Sequence, residues 1–452
     1  MLVDAGLLSR RPGCRPGRSR VSGLEWKMSQ LKLNRGASIV GVGCTEFGNM
    51  LETPGIKGLC TEELAVKAAF EALDDAGLEP KDIDAFFIGG VQMSTAHMFA
   101  HYSRMCDWLG LQRKPGLHFE TACSTTNTGA GLAAMAIGSG RWDNILVVGV
   151  DSILSHPVDN PPERVPMDAG ELWTTTDYGA DQEYAVPHGW DIAPGYGAFP
   201  TLAYAQRYGL TLAQMDEIMF HMHMTVRRQA VLEPKGFIKQ DLPTLAASAG
   251  IPDPWEFWNS QYNPYAAWPT RALSCLNPCD GASAYVVTPA DKAKSYTDVP
   301  IDILGFDWAT FNGLADKDPL NWDVDRLPFE GAYKMAGITP ADIDYLSVHD
   351  CMQIYQLVLG ELSGYLEKGQ GYKAFLDERT GSNGDKPICT HGGKHGKGHA
   401  FGASGGSDIY EAVKQMKGAA GPRQIAKEPA ISVVHNAGYC MHTAVTVLGR
   451  RD

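Results

Sequence analysis

The sequence predicts an α/β protein built from two similar halves, with a long insertion between them. Helical patterns alternate with short apolar runs suited to buried strands, as in parallel α/β units. The segment AGLEPKDIDAFFIGG, beginning at Ala76, returns as AGITPADIDYLSVHD, beginning 260 positions later at Ala336, with six of the first nine residues identical. Each copy sets a helix before a Pro/Asp turn and an apolar strand after it. Internal duplication explains this better than turn chemistry alone. Residues 155–271, rich in Pro, Trp, Tyr and Met, belong to neither copy.

Taken in chain order, residues 1–36 read as a disordered extension. The first 27 carry five arginines but lack the apolar stretch of a secretory signal, and Met28 looks like a natural chain start. A mitochondrial presequence is the alternative. ASIVGVGC opens the first half as a strand, TEELAVKAAFEALDDAG follows as a helix, and NILVVGVD (144–151) is a buried strand. This half spans 37–154 and is completed by about 272–297. The insertion, 155–271, covers one end of the first half. Its clearest helix is TLAQMDEIMFHMHMTVRRQAVL, where His221 and His223 form an H-x-H pair without a third ligand, so no metal site is expected. The second half occupies 298–452.

The 452 residues are 44% hydrophobic and 20% charged, enough for two or three packed units. A net charge of −13 argues against a nucleic-acid surface as the main partner. No apolar run approaches the roughly 18 residues of a membrane span. Ten cysteines are scattered without metal-ligand spacing, which suits reduced thiols and a cytoplasmic location.

Chemistry concentrates in three stretches. In ETACSTTNTGAGLAAMAIGSG (120–140), Cys123 stands among small polar residues at the mouth of a helix. Helix N–H groups there lower a thiol pKa and favour the thiolate. A structural cysteine is the competing reading, and the residues alone leave both open. His349 and Cys351 lie in SVHDCMQ, at the exit of the second copy's strand. His399 lies in GGKHGKGHAFGASGG, a Gly-rich, positively charged loop ahead of the helix SDIYEAVKQMKG. That loop fits neither phosphate-binding fingerprint.

These stretches resemble the thiolase superfamily, specifically the sterol-carrier-protein type. ACSTTNTGAGLAAMAIGSGRWDNILVVGVDS is similar to the nucleophile segment. VHDC, THGGKHGKGHAFGASG and VVHNAG are similar to the other active-site loops, and SCLNPCDGASAYVV extends the match from about residue 37 to the C-terminus. The resemblance implies the thiolase fold: duplicated βαβαβαββ halves in a five-layer α/β/α/β/α sandwich, with a loop domain inserted in the first. It implies Cys123 as the acyl-accepting nucleophile and His399 as the group that activates it and stands in an oxyanion hole. His349 would bind the enolate oxygen and Cys351 would serve as acid/base. The backbone N–H groups of Cys123 and Gly438 would form a second oxyanion hole. Coenzyme A is implied as substrate, with no permanently bound cofactor.

The expected activity is cleavage of a 3-oxoacyl-CoA by CoA, or the reverse Claisen condensation. The sequence departs from the family pattern at Ala400, where a proline is usual, and at Met352, where phenylalanine is usual. Tyr439, Cys440 and Met441 crowd the final loop, and Cys440 is a rival to Cys351 as acid/base. With Trp173, Tyr178, Tyr184 and Trp190 in the insertion, they suggest a pocket for a bulky aromatic or branched acyl group, such as a benzoylsuccinyl-like aryl-ketoacyl-CoA. Core packing is the other reading of those aromatics. The resemblance also implies a homodimer core and a small zinc-ribbon/OB-fold partner. Competing activities are a retro-aldolase on steroid side-chain-type acyl-CoA and a ketosynthase-like condensing enzyme. A non-enzymatic scaffold is the remaining class.

Overall fold

The computed structural model describes residues 33–91, 101–158, 163–166, 193–310, 318–438 and 442–452. Trp173, Tyr178, Tyr184, Trp190, Tyr439, Cys440 and Met441 lie outside the described residues, as do positions 1–32.

The first half contains strands β1 (Ala37–Cys44), β2 (Ala85–Gly89), β3 (Gly116–Phe119) and β4 (Ile145–Asp151), with helices α1 (Thr61–Ala76), α2 (His101–Trp108) and α3 (Thr125–Gly138). A hairpin of β5 (Ser155–Val158) and β6 (Glu163–Pro166) follows. The insertion then supplies α4 (Ala193–Tyr208), α5 (Leu212–Leu232), α6 (Leu242–Ser248) and α7 (Pro254–Trp258), and a small hairpin of β7 (Tyr265–Ala267) and β8 (Thr270–Arg271). Next come β9 (Gly281–Pro289), β10 (Ile301–Thr310), α8 (Asp323–Ala336) and β11 (Tyr345–Ser347). The chain ends with α9 (Ile354–Leu362), α10 (Gly371–Leu376), α11 (Gly393–Gly396), α12 (Phe401–Met416), β12 (Ile431–Gly438) and β13 (His442–Arg450).

Nine strands form one sheet in the order β11-β12-β13-β10-β1-β9-β4-β2-β3. β1 and β10 meet over Ser38↔Asp302 and Ile39↔Ile301 only, so the sheet has two lobes joined by a narrow seam. α1 covers β1, β9 and β4, while α8 covers β10 and β13. Between the lobes run α3 and α12, each touching strands of both. Helix, strands, paired helices, strands and helix make five layers.

The lobes are mixed rather than wholly parallel. β2 runs parallel to β3 and β4, but β9 enters antiparallel between β4 and β1. β12 and β13 are likewise antiparallel, because the few residues joining them are too few for the crossover a parallel pair requires.

The 260-residue offset recurs in the backbone. Pro80–Asp82 and Pro340–Asp342 are both single 3₁₀ turns, and β2 and β11 start at Ala85 and Tyr345. Gly77 and Gly337 end α1 and α8 with φ of 64° and 71°, a left-handed conformation costly for other residues.

The stretch expected to be a Gly-rich loop is partly helical. FGASGG forms the first turns of α12, and its glycines allow close packing. A β-carbon on Gly405 would meet the Asn127 amide nitrogen at 2.7 Å, and one on Gly406 the Ser283 hydroxyl at 2.3 Å. Bare backbone lets α12 lie against α3 and β9, and this packing brings the ends of the two central helices together.

Candidate active site

Cys123 and His399 stand two residues ahead of α3 and α12, 276 positions apart in the chain. They meet where the two helix N-termini converge. His399 Nε2 lies 3.2 Å from Cys123 Sγ, and His399 Nδ1 lies 2.7 Å from Ser404 Oγ, one turn into α12. An imidazole nitrogen of His349 joins them, all three atoms lying within 4.8 Å of one another. The His349 and His399 rings are edge to face, with centroids 5.2 Å apart. His399 is fully buried and His349 nearly so, whereas Cys123 and Cys351 are partly exposed.

The turn that presents Cys123 is tight. Ala122 has φ of 49°, unusual for a residue with a β-carbon, and such conformations persist only where neighbours hold them. Its amide donates to Glu120, and Thr125 Oγ1 donates to the Ala122 carbonyl at 2.6 Å. Ser124 Oγ donates to the Thr121 carbonyl at 2.6 Å and lies 3.0 Å from His442 Nδ1. Gly438 lies against this turn, since a β-carbon there would come within 2.3 Å of the Thr121 carbonyl oxygen.

Residues 274–280, in the SCLNPCDG motif, lace the other two loops together. Leu276 N–H donates to the Cys351 carbonyl at 2.8 Å, and Gln353 N–H to the Ser274 carbonyl at 2.9 Å. On the other side, Asn277 accepts from His399 N–H at 2.8 Å, and Cys279 N–H donates to the His399 carbonyl at 3.2 Å. His349 is held from behind: its amide donates to His435 Nδ1 at 3.3 Å, and His435 Nε2 bonds Asp325 Oδ1 at 2.9 Å. Asp151 accepts the Gly402 amide at 2.5 Å and so caps the start of α12.

The electrostatics reverse one expectation. The helix N-terminus was to favour the Cys123 thiolate, but burial, then Cys351 and Asp151, push the thiol well above its usual range, with Lys394 opposing. Desolvation outweighs the dipole. Burial, and then Lys394, hold His399 well below the usual imidazole range; burial, His399 and Lys394 do the same to His349. Cys351 is raised as well: burial and Asp350 push it up to about 12. The resting pair is therefore a neutral thiol facing a neutral imidazole. The Ser404 hydroxyl beside Nδ1 suits the tautomer protonated there, in which His399 Nε2 has a lone pair for the thiol proton.

Ser404, His435, Asp325, Asp151, Asp350 and Lys394 were not singled out from the sequence. Only the serine carried a usable signal, its one-turn spacing from His399. His221 and His223 do not meet: His223 is buried and accepts from Arg227 Nε at 3.1 Å, while His221 is only partly buried. Among the described residues, Cys123, His349 and His399 are the one His/Cys/Asp/Glu group spaced to hold a metal. A cavity of about 320 Å³ opens where the insertion meets Met352 and Gln353, with Met219, Trp268 and Arg271 in its wall.

Comparison with known proteins agrees with this architecture. Residues 37–182 match the family description "Thiolase, N-terminal domain", and residues 328–450 match "Thiolase C-terminal domain-like". The chain is 29% identical to an acetyl-CoA acetyltransferase of Methanothermobacter thermautotrophicus, covering 89% of this chain and 96% of that protein. It is 26% identical to the benzoylsuccinyl-CoA thiolase subunit BbsB of Thauera aromatica, covering 90% and 96%. Among solved structures, an Ltp2-ChsH2(DUF35) aldolase superposes with a TM-score of 0.72 at 20% identity, over 92% of this chain and 98% of that one.

Proposed function

Because the chain belongs to the thiolase family, we propose that it transfers acyl groups between Cys123 and coenzyme A, cleaving a 3-oxoacyl-CoA or running the reverse condensation. The observation that carries this is the 3.2 Å approach of His399 Nε2 to Cys123 Sγ, with His349 alongside.

In the cleavage direction His399 takes the thiol proton, and Cys123 Sγ attacks the 3-keto carbon. The oxyanion collapses and breaks the bond between C2 and C3, and the electron pair leaves as the enolate of the departing acyl-CoA. His349 donates a hydrogen bond to the enolate oxygen. Cys351, a neutral thiol at rest, protonates the enolate carbon. Its thiolate then takes the proton of an incoming CoA thiol, whose sulfur attacks the acyl-Cys123 carbonyl. Cys123 leaves as thiolate and recovers its proton from His399. Backbone N–H groups of Cys123 and Gly438 hold the oxyanions. Each such donor is worth roughly 10²–10³ in rate.

The substrate we favour is a bulky aromatic or branched 3-oxoacyl-CoA. The cavity beside Met352 supports it, as does the similarity to BbsB. CoA is a substrate here, with no resident cofactor. A homodimer through the first half would cover the outer strand β3 and exposed Leu117. A small zinc-ribbon/OB-fold subunit is the second partner we propose, and the DUF35 chain named with the aldolase lends it support. A cytoplasmic setting suits the eight described cysteines, all free thiols.

Intact-mass spectrometry after incubation with acyl-CoA tests the reading. An acyl adduct that disappears in Cys123→Ala is expected. A folded protein that cleaves its substrate with no adduct from any acyl-CoA points instead to a retro-aldolase, which forms no thioester.

A further inference from the structure

Cys123, His349 and His399 present three ligand atoms within 4.8 Å of one another, one thiol sulfur and one nitrogen from each ring. These are donors that zinc prefers, held in a tetrahedron at about 2.3 Å for sulfur and about 2.0–2.1 Å for nitrogen. Two such ligands on one ion stand about 3.3–3.6 Å apart. His399 Nε2 lies 3.2 Å from Cys123 Sγ, so that pair is already near ligand spacing. The group contains no carboxylate or carbonyl oxygen, the donors that calcium and magnesium take.

The two rings are equipped to bind. A metal-bound histidine usually gives its second ring nitrogen to a hydrogen-bond partner, which fixes the ring. His399 has that partner in Ser404 Oγ, 2.7 Å from Nδ1, while its Nε2 faces the sulfur. His349 is 3% exposed, and its Nδ1 makes no hydrogen bond. A buried nitrogen without a partner is uncommon and calls for an explanation, of which an ion is one. Cys123 is partly exposed, which gives an ion a way in. Lys394, the cation that acts on this group, has its Nζ paired with Asp408 Oδ2 at 2.6 Å, so little positive charge is left to repel a metal.

We propose that Cys123, His349 and His399 also form a zinc site, whose occupation reversibly silences the nucleophile. As the Zn–S bond forms, the thiol proton passes to solvent, and two imidazole lone pairs displace waters from the ion. Nothing is oxidised or reduced. Three protein ligands leave the fourth tetrahedral position to water. The sulfur and the nitrogen that acylation requires are both taken, so zinc and an acyl group exclude one another. No metal site was expected from the sequence, because the three ligands come from separate segments that only the fold brings together. The inference goes beyond the acyl-transfer reading and needs neither CoA nor turnover.

The test titrates the full-length, chelator-stripped protein with zinc chloride and follows iodoacetamide alkylation of Cys123 in peptide mass spectra. At zinc about ten times its dissociation constant, alkylation should slow about tenfold, and a chelator should restore it. Equilibrium dialysis should find one zinc per chain that is lost in Cys123→Ala, and magnesium chloride should protect nothing. Cobalt chloride should give a thiolate-to-cobalt charge-transfer band in the near ultraviolet, absent in Cys123→Ala. Ser404→Ala, which removes no ligand, should weaken zinc binding about 10–100-fold. Zinc binding that leaves Cys123 alkylation unchanged, or no binding at micromolar zinc, overturns the proposal. A zinc complex on a chain that never forms an acyl adduct would remove the thiolase reading and leave this one standing. Acyl adducts without zinc binding would do the reverse.

Discussion

Ser404 Oγ lies 2.7 Å from His399 Nδ1, one turn into the helix that His399 precedes. A hydroxyl there can accept the Nδ1 proton, and that tautomer leaves Nε2 free for Cys123. Ser404→Ala is expected to lower kcat/KM about tenfold, the value of one hydrogen bond to a working group, with little change in KM. Steady-state kinetics check it, and an unchanged kcat/KM removes the serine from the site.

Cys351 is partly exposed beside His349, and its thiol is neutral at rest. Cys351→Ala should still acquire the acyl group on Cys123 while overall turnover falls about 10²–10⁴-fold, the usual worth of a positioned proton donor. Intact mass and CoA-release assays, run together, separate the two steps. Normal turnover would pass the acid/base role to another group, with Cys440 first to test.

Gly438 has no room for a side chain. Its β-carbon would meet the Thr121 carbonyl oxygen at 2.3 Å and the Ala122 β-carbon at 3.0 Å. Gly438→Ala should cost about 1–3 kcal/mol in stability by overpacking and should slow acylation by displacing the nucleophile turn. Thermal melts and adduct-formation rates measure each effect.

The pH dependence follows from the direction of the shifts. His399 is held well below the usual imidazole value near 6.5, so it stays neutral and able to accept a proton as pH falls through 6.5. The acid limb of kcat/KM should therefore lie below pH 6.5. Because the Cys123 thiol is raised above 9, its direct alkylation should keep climbing beyond pH 9. An acid limb centred at or above neutrality contradicts the burial of His399.

Much of this site could be read in the chain because its reactive groups sit in short runs of small residues. Such runs mark Cys123 before α3 and His399 before α12, and a strand exit marks His349 and Cys351. Their convergence follows from the repeat, which gives both halves the same layout. What escaped was whatever depends on packing between distant elements. The helix N-terminus beside Cys123 was visible, but the burial that outweighs it comes from residues brought in by other elements, among them Ile153 and Phe401. For the same reason GGKHGKGHAFGASGG read as an open loop, when its last glycines are contact points between two helices. Lys394 was not singled out, since nothing local announces that Asp408 waits 14 positions on.

Cys123 and His399 hold matching stations in the two copies, each just ahead of its central helix. Two unaltered copies docked this way would have set like against like, sulfur to sulfur or ring to ring, and neither arrangement supplies both an attacking atom and a proton acceptor. Within one polypeptide the two stations carry different groups, so that reactivity here depends on broken symmetry.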